Sequence, residues 1–394
     1  MILRIVLIVF AFNTVSCTAR QSDTPVLVDV VPFEMDGAHI LVYANVNGSD
    51  PVPFTFDTGG GTSLIDTEKA DEIGLKTTGT SQAQGAGGNA QFQVTRSNTI
   101  KMGNLTFEDC SFLTISLAHM RQLGAKTYGV LGYEQISKYV VKIDYEENKL
   151  YFYDKKRYKY DGDGKEIPIK LESRIPSVEA QIELEDGTTV SGRFLIDTGA
   201  AMYASMNTPS VVEYDAIGKL SKSFEVLASG ATGEFKLING RVNKLKLGES
   251  EFSRLPFMFN TINEGALADP DFVGIIGNRV MRRYNIILDY RNDRMILEPN
   301  RFYDDAFRVN ASGLLILAED DDRLVVSDVI ADSPAAKLGI QKGDEIISVD
   351  DIQGTTQTRP AIRSRLEEAG RTVKIVWKRD GEIRQDSLLL ENII

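Results

Sequence analysis

Histidine and cysteine are almost absent: the chain has only His39 and His119, Cys17 and Cys110, in 394 residues. Two imidazoles leave little room for a zinc site of several His ligands or for a Ser-His-Asp triad. Two cysteines allow one disulfide at most, so no disulfide framework holds the fold. A chain of this length can build real cores without one. Cys110, just before Ser111-Phe112-Leu113, reads as a small buried apolar residue. Basic residues are outnumbered, 44 against 56 acidic, for a net charge of −12. That balance disfavours nucleic acid and anionic membrane surfaces as partners. The one long apolar run near the start, Ile5-Val6-Leu7-Ile8-Val9-Phe10-Ala11-Phe12, is too short to span a bilayer.

That run has Arg4 as its only neighbouring charge, so residues 1–16 read as an export signal. It ends at Thr14-Val15-Ser16-Cys17, which resembles a bacterial lipoprotein cleavage box with Thr14 where Leu is preferred. The resemblance implies lipid on Cys17 and a polar tether over 17–26. The chain would then sit in the bacterial cell envelope, anchored to a membrane by the lipid and facing the periplasm or the cell surface. Plain secretion, with Cys17 incidental, is the alternative.

What is present is a long internal repeat. Gly85, Gly88, Gly103 and Phe107 recur 145 residues later as Gly230, Gly233, Gly248 and Phe252. At the same offset Gly129-Val130-Leu131-Gly132 becomes Gly274-Ile275-Ile276-Gly277, and Ile143-Asp144-Tyr145 becomes Leu288-Asp289-Tyr290. Upstream, the triplet Asp57-Thr58-Gly59 recurs as Asp197-Thr198-Gly199, each copy behind an apolar run. One such triplet would be an ordinary turn. Two at equivalent places in a repeat point to two lobes that bring their carboxylates together about a near-two-fold axis. Short alternating runs such as His39-Ile40-Leu41-Val42-Tyr43 and Leu150-Tyr151-Phe152-Tyr153 read as strands. Thr67 to Ile73 is one of few candidate helices. The lobes are expected over 27–155 and 156–300.

The apolar run, the Asp-Thr-Gly turn and the later apolar pair between glycines resemble the pepsin and retropepsin family of aspartic peptidases. The resemblance covers about residues 35 to 300. It implies a mostly β, bilobal, pepsin-like acid protease fold made from two retropepsin-like lobes. It also implies that Asp57 and Asp197 hold a catalytic water and that Thr58 and Thr198 cross-link their two loops. Gly59 and Gly199 would let backbone N–H groups reach the carboxylates. The substrate is then a polypeptide, with no cofactor and no metal. Two like charges so close cannot both ionise, which splits their pKa values. Pepsin-like members carry a hydroxyl after the triplet; this chain has Gly60 and Ala200, as retroviral-like members do. Losing that hydrogen bond is expected to raise the pKa values and move optimal activity to weakly acidic or neutral pH.

The family covers its substrate with a hairpin flap. Gly85, Ala86, Gly87 and Gly88 stand at the matching place, with Gly230 and Gly233 as the second-lobe counterpart, although the flap tyrosine of pepsins is missing. Glycine gives a hairpin tip the positive φ values and mobility of a lid. The bland alternative is a plain surface loop.

Residues 305–394 form a separate module. Ala331-Asp332-Ser333-Pro334-Ala335-Ala336-Lys337-Leu338-Gly339-Ile340, then Lys342-Gly343-Asp344-Glu345-Ile346-Ile347, resemble a bacterial PDZ domain. The resemblance implies that Gly313, Leu314, Leu315 and Ile316 form a loop offering N–H groups to the carboxylate of a C-terminal peptide ligand. Pro360 to Leu366 would flank the groove, and Thr372 to Trp377 would be a late strand. Other signals are weak. Gly85 to Ala90 fits a dinucleotide glycine pattern, but polar Thr77 to Gln84 precede it instead of an apolar strand. Asp161-Gly162-Asp163-Gly164 lacks the later acidic ligands of a calcium loop.

The reading is an exported, monomeric aspartic endopeptidase with a C-terminal PDZ domain. Two other readings use the same residues: an inactive envelope protein that holds peptides in cleft and groove, or a structural lipoprotein using PDZ as an adaptor.

Overall fold

The computed structural model describes residues 26–85, 88–122, 125–230, 233–319 and 322–394. The candidate export signal and Cys17 lie outside these residues, as do Ala86 and Gly87.

Strands dominate, and they repeat one for one. The first lobe is an eight-stranded sheet in the order Glu34–Asp36, His39–Val46, Val52–Phe56, Gly129–Leu131, Leu64–Asp66, Leu105–Ile115, Gly88–Met102, Thr77–Gly85. The second lobe repeats that order with Lys170–Glu172, Ile175–Glu183, Thr189–Asp197, Gly274–Gly277, Ala204–Met206, Ser250–Asn260, Gly233–Leu247, Phe224–Gly230. Even the extra pairing recurs: His39–Val46 with Gly88–Met102, and Ile175–Glu183 with Gly233–Leu247.

A third sheet joins the lobes. Its six strands run Leu27–Pro32, Lys149–Tyr153, Val140–Asp144, then Tyr284–Asp289, Arg294–Pro299, Lys165–Pro168. Three come from each half, and the seam is the antiparallel pair Val141↔Leu288, Lys142↔Ile287, Ile143↔Ile286. The repeated Ile-Asp-Tyr and Leu-Asp-Tyr segments therefore meet near the axis. Phe54, Phe56, Phe152, Phe194, Phe257, Phe259 and Tyr284 are fully buried in one continuous cluster that spans both lobes. At roughly 1.5–3 kcal/mol for each large apolar side chain buried, this shared core holds the lobes as one body.

Few helices interrupt the strands. Thr67–Ile73 begins at Asp66, which accepts a hydrogen bond from Lys69 N, and stops at Gly74 in the left-handed region. Cys110 is a free thiol buried in the strand Leu105–Ile115. Burial, with the nearby Glu134 charge, pushes it up to about 11.

The C-terminal module has its own five-strand path: Leu314–Ala318, Leu324–Val329, Glu345–Val349, Thr372–Arg379, Glu382–Leu389. The helix Arg359–Leu366 sends Ile362 and Leu366 into a separate core with Val326, Ile346, Ile375 and Trp377. Leu314–Ala318 is an edge strand, open to pairing on one side.

Candidate active site

Each Asp-Thr-Gly turn is held by the strand that repeats behind it. Val52–Phe56 runs parallel to Gly129–Leu131, and Asp57 N donates to Leu131 O at 2.9 Å. In the second lobe, Phe194 to Asp197 runs parallel to Gly274–Gly277. The closing glycines are required by contact. A Cβ on Gly132 would lie 2.0 Å from Gly60 O, and one on Gly277 would lie 2.5 Å from Met202 O. The next residues complete the support: Tyr133 N donates to Gly60 O and Asn278 N to Ala200 O, both at 2.9 Å.

The two turns are bonded to each other across 140 residues. Thr58 Oγ1 donates to Ile196 O at 2.7 Å and accepts from Thr198 N at 3.0 Å. Thr198 Oγ1 donates to Phe56 O at 3.0 Å and accepts from Thr58 N at 3.0 Å. Both threonines are 1 % exposed, so these four bonds are shielded from water. Buried polar groups left without partners would cost about 1–3 kcal/mol each.

The carboxyl groups of Asp57 and Asp197 are bridged by one backbone donor, because Gly199 N reaches an oxygen of each. Gly59 N donates to Asp57 Oδ1 at 2.7 Å, and Gly199 N donates to Asp197 Oδ1 at 2.8 Å and to Asp57 Oδ1 at 3.2 Å. Ala200 N adds a bond to Asp197 Oδ1 at 2.9 Å. Each glycine also lies against the opposite carboxyl. A Cβ on Gly59 would be 2.6 Å from the carboxyl carbon of Asp197, and one on Gly199 would be 2.4 Å from that of Asp57. Burial and then the Asp57 charge hold Asp197 well above the usual carboxylate range, against the pull of the Gly199 and Ala200 N–H groups. Both residues stay half-buried, so water still reaches them.

The two glycine loops close long hairpins. Thr77–Gly85 pairs with Gly88–Met102 out to Gly85↔Gly88, and Phe224–Gly230 pairs with Gly233–Leu247 out to Gly230↔Gly233. Ala86 and Gly87 fall outside the described residues. Thr77 to Gln82 are exposed along both faces of their strand. Phe92, Val94 and Leu113 pack on one face of the hairpin, with partly buried Ala83 and Ala90 against them.

Several supporting residues carried no local signal. Asn278, fully buried, donates from Nδ2 to Ala38 O at 2.6 Å and accepts from Tyr145 Oη. It thus ties the loop that holds Asp197 to the first lobe. The repeat mate of Tyr145 is Tyr290, which stacks on Tyr133 with ring centroids 6.1 Å apart and leaves its buried hydroxyl without a partner. The repeat marked both tyrosines as equivalents but not as neighbours of the turns.

The C-terminal module touches the same loop from outside. Arg279, after Asn278, donates from its backbone to Met202 O at 3.1 Å, and its guanidinium pairs with Glu367 at 3.4 Å. The Tyr203 hydroxyl accepts from Arg308 N at 3.0 Å and donates to Arg308 O at 3.2 Å. Buried Arg241 of the second lobe donates to Ile394 O at 3.0 Å and to Asn392 Oδ1 at 3.3 Å. In the module's first loop, the N–H groups of Ser312, Gly313 and Leu314 all have acceptors inside the loop.

Residues 42–134 and 178–280 match the model of a family described as aspartyl protease, one segment in each lobe. Residues 325–379 match that of the PDZ domain. Among solved structures, an aspartic proteinase from Irpex lacteus is similar at 14 % identity and a TM-score of 0.44, over 71 % of this chain and 99 % of that one. No curated protein is matched.

Proposed function

Because both lobes belong to the aspartyl protease family and the C-terminal module is a PDZ domain, we propose that the chain is an endopeptidase whose water is activated by Asp57 and Asp197. The observation that carries this reading is that Gly199 N donates to both carboxyls, at 2.8 Å to Asp197 and 3.2 Å to Asp57, with Asp197 raised by burial and by the Asp57 charge. A pair so placed keeps one proton between pH values where isolated carboxylates have lost theirs. The raised member, Asp197, holds that proton and donates to the scissile carbonyl oxygen. Asp57 takes a proton from the water that attacks the carbonyl carbon. The tetrahedral diol then collapses: Asp57 gives its proton to the departing amine, the C–N bond breaks, and Asp197 recovers its own proton. No metal or covalent intermediate enters. The hairpin ending at Gly85 and Gly88 serves as the lid that excludes water.

A statine-type peptide, whose hydroxyl imitates that diol, tests the assignment. Calorimetry is expected to show binding to the wild type weakened at least 100-fold by Asp57→Asn and by Asp197→Asn. Equal binding to all three proteins would contradict it.

Export and lipid anchoring belong to the same reading and rest on the sequence alone. Residues 1–16 direct export and Cys17 takes the lipid. Cells fed labelled palmitate are expected to label the wild type and not Cys17→Ala. Equal labelling of both would rule the anchor out.

A further inference from the structure

The first loop of the PDZ domain contains an anion-binding nest that is filled from within. The backbone donors of Ser312, Gly313 and Leu314 follow one another at the mouth of the edge strand Leu314–Ala318. Successive N–H groups of this kind form a concavity suited to a carboxylate. Asn310 occupies it. Its Oδ1 accepts from Ser312 N at 3.0 Å, from Gly313 N at 2.9 Å and from Ser312 Oγ at 2.9 Å. Ser312 Oγ in turn accepts from Leu314 N at 3.0 Å, so all three donors are used. Asn310 Nδ2 then donates to Leu314 O at 2.7 Å. One carboxamide therefore makes the contacts that the end of an extended peptide would make: an acceptor in the nest and a donor to the edge strand. Ser312 is fully buried and Leu314 is 3 % exposed, so the nest has no spare access to water.

We propose that Asn310 is a built-in competitor for the C-terminal carboxylate of a peptide ligand. In the resting protein the domain rejects free carboxylates, and such a ligand engages its N–H groups only by displacing the Asn310 side chain. The edge strand itself stays open to extended segments that end in no carboxylate. The occupant differs from a bound ion because it is covalently tethered, at an effective concentration that a free peptide must outbid. The proposal stands apart from the peptidase reading, since it concerns binding alone.

The test uses the described chain from residue 26 in an Asp57→Asn background, so that no probe is cut. The probes are fluorescein-labelled nonapeptide pools ending in Leu, Ile, Val or Phe, made as free acids and as C-terminal amides. Anisotropy is expected to show acid and amide within twofold of one another on this protein. Adding Asn310→Ala is expected to make the acid bind at least tenfold tighter than the amide. Ser312→Ala, which frees the Leu314 N–H and keeps Asn310, is expected to shift the ratio the same way by about threefold, a change on the order of one lost neutral hydrogen bond or less. An acid preference of tenfold or more with Asn310 in place would overturn the proposal. So would an acid-to-amide ratio unmoved in both folded variants.

Discussion

Gly199 N lies 3.2 Å from Asp57 Oδ1, a donor from one lobe aimed at the carboxyl of the other. The contact is possible only without a side chain, because a Cβ there would stand 2.4 Å from the carboxyl carbon and 2.4 Å from Oδ2. The close approach is mirrored by Gly59, where a Cβ would stand 2.6 Å from the carboxyl carbon of Asp197, and the two glycines together set the spacing of the pair.

Gly199→Ala is therefore expected to push the carboxyls apart while leaving the core intact. Loss of one aimed donor costs about 100- to 1,000-fold in kcat at comparable sites, and the steric displacement adds to it. Steady-state kinetics beside far-UV circular dichroism check this: a folded variant within tenfold of wild-type kcat would refute the role given to the glycine.

The threonine cross-link is expected to act as a unit. Thr58→Val removes a donor to Ile196 O and an acceptor for Thr198 N, a loss of about 2–6 kcal/mol for two buried groups left unpaired. Thr198→Val makes the matching loss. Urea denaturation of both single variants and the double should show strong non-additivity, since residues in one network couple by about 0.5–3 kcal/mol. Simple addition of the two losses would mean that the loops are held elsewhere.

Stability should fall as pH rises through the titration of Asp197. Asp197 binds its proton more tightly in the folded state than in the unfolded chain, for the burial and charge reasons above. Its contribution is fully present below the ordinary carboxyl pKa and is lost as pH climbs through the raised one. Thermal melts of wild type and Asp197→Asn across that window should converge at the acid end and separate above it, with the variant flatter. Parallel curves would mean that Asp197 is not raised.

The PDZ domain is expected to influence the rate through Tyr203. Its hydroxyl holds Arg308 from both sides, six residues after Asp197, and Arg279 links the same loop to Glu367. Contacts of this kind modulate coupling by about 0.5–2 kcal/mol. Tyr203→Phe should thus lower kcat roughly two- to thirtyfold, with Glu367→Ala acting in the same direction. Unchanged kcat in both variants would make the contact mere packing.

Much of the site was legible because its chemistry is local. Asp57-Thr58-Gly59 and Asp197-Thr198-Gly199 each sit at the end of a strand, and the glycine pairs 129/132 and 274/277 mark the strands beneath them. Gly60 and Ala200 offer no hydroxyl after the triplets. The structure adds that the Ala200 backbone N–H still reaches Asp197 Oδ1. What stayed hidden is long-range. Asn278 bonds Ala38 across 240 residues, and Arg241 bonds Ile394 across 153. Neither residue stands in a pattern that betrays a partner so distant. Asn310 was hidden for another reason: an Asn before a Ser-Gly turn looks like ordinary loop chemistry until its oxygen is found on the nest donors.

The most direct test of the central claim is cleavage of an unstructured mixed peptide library from pH 3 to 8, read by mass spectrometry, beside Asp57→Asn and Asp197→Asn. The account predicts wild-type cleavage strongest at weakly acidic to neutral pH and abolished by either substitution. Cleavage that survives both substitutions, or a folded wild type that cuts nothing at any pH, would contradict it.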